Sequence, residues 1–326
     1  MRPGVAGTLP AAEAPAREPV AAAGRTAVRA HAVVRVEAGP DGRARVAELR
    51  SAVPLVPRHT ASSRPGAPDP FADQASGPAA PGPVAGLAPP PLPTVIVHLV
   101  GAAAGPLVGD QLRLDVSVGT GVRLVLRSVA ATLAMPGHGA GPSVLEIHAD
   151  VAAGGALDLL PEPTVAVRGC RHRMVGRATV AAGGWLRWRE EILLGRFHEP
   201  SGHLETDLRV DVGAPAAPGG PTAGYLPLLR QQLTLGPDVP GIAGAALLGA
   251  ARCVGSLLVA APPGPAGESE ATASALARVT ASVSAASSRA GGGDSGGVAV
   301  LPLAGPGVLV TALAPDAVTL RRRLGG

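Results

Sequence analysis

From Leu204 to Val212 the chain alternates without a break. Leu204, Thr206, Leu208, Val210 and Val212 share one parity, and Glu205, Asp207, Arg209 and Asp211 the other. A helix would scatter such a set around its axis, so the pattern predicts a strand with one buried face. The same period of two recurs at 112–118 and 122–128, which read as a pair across Gly119-Thr120-Gly121. It recurs again at 143–151 turning into 156–160, and at 164–182 turning at Gly183-Gly184 into 185–194. Upstream, 27–36 and 43–49 flank Gly39-Pro40-Asp41-Gly42 and predict a hairpin, and a further strand begins at Thr94. Strands joined by glycine turns make the chain mainly β.

The character changes late in the chain. Residues 225–235 can continue the strands, whereas 241–260 place Ile242, Ala245, Ala246 and Leu248 at helical spacing. Leu276, Val279 and Val283 predict an amphipathic helix, residues 298–303 and 307–313 a last strand pair, and Pro315-Asp316 the start of a final short helix. Two or three helices are thus expected in the C-terminal part. Residues 1–26 read as a disordered tail and 27–326 as a single domain. A flexible Pro/Gly-rich insertion at 62–93 interrupts it.

Composition narrows the function. Only 2% of the 326 residues are aromatic, so the core has to be built of Leu, Val and Ala. All 28 basic residues are Arg, yet the net charge is only +4 and acids interleave with bases. Nucleic-acid recognition wants clustered cations with stacking aromatics, and neither is seen. Two cysteines are too few for a disulfide framework. The N-terminus lacks the apolar core of a signal peptide, and Arg252 interrupts the most membrane-like run. These features predict a soluble cytoplasmic protein.

Several motifs resemble chemistry. Gly293-Asp294-Ser295-Gly296-Gly297 spells the nucleophile signature of trypsin-like hydrolases, but His31 lacks the residues that usually surround such a base. His198-Glu199-Pro200-Ser201-Gly202-His203 groups two histidines with a carboxylate, although Pro200 and Gly202 bar the helix that a zinc protease motif needs. Cys170 and His172 lie on the same side of a strand and would suit a soft metal with two ligands. No phosphate-binding P-loop is present.

The order GPLVGD (105–110), LPEP (160–163) and LLGRFHEPSGHLETDLRV (193–210) resembles the urease accessory protein UreD family, also called UreH. The resemblance runs from about Ala27 to the end, broken by the insertion. It implies a helical stack of strands and a non-enzymatic chaperone of nickel insertion into apo-urease. Its implied partners are UreF, the nickel-carrying GTPase UreG and the urease subunits. No cofactor is held permanently, and Ni²⁺ is in transit. Acids that attract Ni²⁺ weakly would line its path: Asp110, Glu162 and Glu199 are the candidates, with Cys170 and His172 secondary and Arg196 a structural ion-pair partner. The alternatives are a hydrolase using Ser295, or a β-rich scaffold unrelated to metal.

Overall fold

A computed structural model describes residues 27–65, 87–137, 139–213, 224–264 and 297–325. Those residues form seventeen strands and one short helix, in two stacked sheets. The first sheet runs β14 (Tyr225–Leu235), β13 (His203–Gly213), β11 (Arg171–Val180), β8 (Ser143–Val151), β5 (Gln111–Val118), β1 (Arg29–Ala38), β2 (Ala44–Arg50). The second runs β16 (Val298–Pro302), β17 (Gly307–Ala314), β15 (Cys253–Ala260), β12 (Trp185–Leu193), β9 (Ala156–Leu160), β6 (Arg123–Ser128), β4 (Thr94–Gly101), β3 (Leu55–Ser63). Short β7 (Thr132–Ala134) and β10 (Thr164–Ala166) pair beside β12.

The chain winds from one sheet to the other. β5, β8, β11 and β13 lie parallel in the first sheet, while β4, β6, β9 and β12 lie parallel in the second. The predicted strands and the opening β1–β2 and closing β16–β17 antiparallel pairs are present. The pairing read across Gly119-Thr120-Gly121 is not. β5 pairs with β1 and β8, and β6 with β4 and β9, so this turn is a corner between sheets. Gly154 and Gly183 make the next two corners, and the three stack through Gly121 N–H to Gly154 O and Gly154 N–H to Gly183 O, both 3.1 Å. Alternation tells which face of a strand is buried; it does not name the neighbour.

The interior between the sheets holds the main core, including Leu114, Leu124, Leu157, Leu186, Trp188 and Leu208. A second cluster covers the outer face of the second sheet beneath α1 (Ala317–Leu324), whose Leu320 and Leu324 are fully buried. Asp316 caps that helix by accepting from Thr319 N–H, as its place after Pro315 predicts. A third cluster lies at the loop end, around Cys170, Ile192 and Leu204.

The helix expected over 241–260 is replaced by turns followed by β15. Gly241 and Gly249 sit at φ 71° and 55°, outside the right-handed helical range, and the second half is claimed as a strand by both β12 and β17. Tertiary pairing overrides helical spacing here. The helix expected around Leu276 and most of the 62–93 insertion lie outside the described residues. Ser62 and Ser63 still belong to β3, and Leu87 is buried in the cluster under α1.

Candidate functional site

The three candidate acids are each held by protein donors. In the GPLVGD turn Asp110 is buried and accepts from the backbone N–H of Val28 at 2.8 Å and of Leu107 at 2.9 Å. Its carboxylate therefore ties the start of β1 to the turn before β5. Asp110→Ala would strand both donors in a buried place and should cost about 2 kcal/mol. A lowered midpoint in urea unfolding would register that loss, and an unchanged midpoint would refute this role.

Glu162, in the LPEP turn, receives a two-pronged contact from Arg321 of α1, at 3.1 and 3.0 Å. The same guanidinium binds Glu191 of β12 at 3.2 and 2.7 Å, and Arg189 Nε approaches Glu191 at 3.4 Å. Burial works against charge on Arg321, but its bonds to Glu191 and Glu162 hold its pKa above the ordinary value. Burial lowers Arg189 to about 10.

In the GRFHEP loop, Arg196 donates to Glu199 through Nε at 2.9 Å, Nη2 at 2.8 Å and its backbone N–H at 3.1 Å. These bonds lower the Glu199 pKa to about 2. Arg252 closes the loop by donating to the carbonyls of Arg196 and Glu199. A side chain at Gly195 would put its Cβ 2.4 Å from the Glu199 carbonyl oxygen, and φ there is 82°. The turn thus needs its glycine. His198 is exposed and stacks edge-on against Phe197, while His203 reaches Glu205 at 3.3 Å, so the two histidines of this stretch do not converge with Glu199.

Cys170 and His172 are both buried. Burial, reinforced by the charge of Glu199, pushes the thiol up to about 11, and burial pushes the imidazole down to about 4. His172 Nδ1 is 2.8 Å from Ser143 Oγ. Both side chains are thus held neutral. Among the described residues no group of three or more His, Cys, Asp or Glu side chains is arranged to hold a metal ion. None of their helices is long and apolar enough to cross a membrane. Ser295 lies outside the described residues; His31 sits on the outer face of the first sheet with its Nε2 2.6 Å from Asp115.

The residue that the sequence reading passed over is Glu190. β12 sends Arg187, Arg189 and Glu191 outward, toward Asp158 and α1, and Leu186, Trp188, Glu190 and Ile192 inward. Glu190 lines a cavity of about 350 Å³ between the sheets, walled by β12, β13, β14, β15, β16 and β17. Among the described residues the other lining side chains are apolar or neutral: Thr206, Gln231, Ser256 and Thr311 bring oxygen, and Ile192, Leu233 and Leu313 bring hydrocarbon. Burial raises the Glu190 carboxyl to about 7, and only the indole N–H of Trp188, at 3.2 Å, works the other way. A lone ionisable group in a lined cavity is a functional candidate on physical grounds.

Comparison with known proteins adds the family. A family model described as UreD urease accessory protein matches residues 74–325. A protein of Frankia casuarinae named urease accessory protein UreD is 55% identical over 304 residues, covering 92% of this chain and 89% of its own. One of the same name from Frankia alni is 55% identical over 309 residues, covering 92% of each chain. A third, from Streptomyces avermitilis, is 38% identical over 229 residues, or 70% of this chain and 79% of its own.

Proposed function

The chain belongs to the UreD family of urease accessory proteins, and from that premise we propose that it is a non-catalytic scaffold for loading nickel into apo-urease. In this reading it works in the cytoplasm and bridges the urease subunits to UreF and, through UreF, to the nickel-carrying GTPase UreG. Nickel is its cargo and not a resident cofactor.

The observation that carries the metal part of the reading is Glu190 in the inter-sheet cavity. One carboxylate among neutral oxygens is a weak site for a borderline ion that prefers imidazole or thiolate. Weakness suits cargo, which has to leave again. Asp110, Glu162 and Glu199 are assigned a different part: they hold loops, since a passing cation would first have to displace their backbone or guanidinium partners. Cys170 and His172, both neutral, serve as core.

The test is urease activity and urease nickel content in cells carrying the urease subunits and the other accessory proteins, with this chain, without it, and with Glu190→Gln. Both readouts should collapse without the chain and fall severalfold with Glu190→Gln. Full activity in its absence would end the scaffold reading.

A further inference from the structure

We propose that Trp188 is the positioning residue for Glu190, its indole holding one carboxylate oxygen so that the other is left for the cavity. This rests on the reading of Glu190 as the group that meets the cargo. Trp188 and Glu190 stand two positions apart on β12 and so share the inward face. The indole N–H donates to Glu190 Oε1 at 3.2 Å with both groups buried. Among the described residues no other titratable or charged side chain lines the cavity; its remaining polar groups, Thr206, Gln231, Ser256 and Thr311, are neutral.

The indole is in turn fixed from the opposite sheet. At Gly176 of β11, a Cβ would lie 2.9 Å from Trp188 Cζ2 and 2.6 Å from Leu208 Cδ1. Its φ is not in the left-handed region, so this position needs the missing side chain and not the conformational freedom of glycine. The ring of Trp188 rests on bare backbone, and the two sheets together set where its N–H points. Trp185, three residues earlier on the same strand, supplies the contrast: it packs in the cluster under α1, and its buried Nε1 has no partner. The hydrogen bond therefore distinguishes position 188 from an indole that merely fills space. A donor aimed at a carboxylate favours its charged form, which is the form a divalent cation takes up.

A two-by-two cycle tests this with the full-length chain in a reconstituted activation mixture: wild type, Trp188→Phe, Glu190→Gln and the double variant. The readouts are the Ni²⁺ concentration giving half-maximal activation, the maximum at saturating Ni²⁺, and the nickel content of the urease. Trp188→Phe keeps an aromatic ring, smaller than indole, and loses the N–H; it should raise the half-activating concentration roughly tenfold, the worth of one hydrogen bond to a charged group, with the maximum unchanged. In the Glu190→Gln background the same substitution should add nothing. Trp185→Phe should leave the nickel dependence as in wild type. Should Trp188→Phe not fold, benzothienylalanine at position 188 in a Trp185→Phe chain replaces the N–H by sulfur at equal shape. An equal effect of the Trp188 change with and without the Glu190 carboxyl would overturn the positioning role while the Glu190 reading stands. Wild-type nickel dependence in Glu190→Gln would overturn both.

Discussion

Arg321→Met should destabilise the protein by about 3 kcal/mol, the usual scale for removing one partner of a buried ion pair. Its guanidinium spans two carboxylates, and they differ in what they can do when it is gone. The Glu162 side chain is 34% exposed and can turn to water, whereas that of Glu191 is 0% exposed. Glu191 would be left with Arg189 at 3.4 Å, which keeps the loss below the upper end of the range. Arg321→Lys should recover part of it, because a single ammonium keeps the charge but cannot fork to two acids at once. The loss should also appear locally. Helix α1 is eight residues long and is held by Leu320, Leu324, Arg321 and a bond from Arg323 to the Leu313 carbonyl, so losing the Arg321 contacts should make its amide hydrogens exchange faster. Urea unfolding gives the first quantity and hydrogen exchange the second. A change within about 0.5 kcal/mol, as surface substitutions give, would mean that the network is no more than a solvated ion cluster.

This network also shows what could and could not be read from the sequence. Pro161 and Pro163 mark Glu162 as lying in a connection between strands, but nothing local says that its partner is 159 residues away. Arg321-Arg322-Arg323 forms the last turn of α1, and three arginines in a row give no local sign that the first faces inward to bind acids. Strands were legible wherever one face meets water and the other the core, as in β13, because the period of two survives there. Their pairing was not, since a glycine corner between sheets and a hairpin turn draw on the same residues. Over 241–260 the small residues suit a helix and a turn-rich loop equally, and only the pairing of β15 with both neighbours decides. Glu190 is the instructive miss. Arg189-Glu190-Glu191 looks like a solvated charge cluster, yet counting parity from Leu186 and Trp188 places Glu190, and not its two neighbours, on the apolar face. The signal was present in the alternation and was masked by composition.

Glu190 should accordingly make stability depend on pH in a direction opposite to that of most acids. Its folded pKa, about 7, lies above the ordinary 4.5, because burial disfavours the charge and the Trp188 N–H offsets this only in part. Between those two values the native state keeps a proton that the unfolded chain has lost. Stability then falls as pH rises through the window, and the loss saturates above pH 7. A displacement of this size corresponds to about 3 kcal/mol at pH 8 and well under 1 kcal/mol near pH 4.5. Glutamine at position 190 has the same shape and no proton to lose. Glu190→Gln should therefore match wild type near pH 4.5 and exceed it by about that amount at pH 8, other titrating groups cancelling in the difference. Urea unfolding of the two proteins at a series of pH values measures the gap. A gap that is flat with pH would mean that water reaches the carboxyl freely and that the cavity is not the low-dielectric place its lining indicates. A gap that opens with pH, in a protein whose nickel delivery falls with the same substitution, would identify Glu190 as a group kept at the expense of stability. Residues that lower stability and persist are characteristically those that function requires.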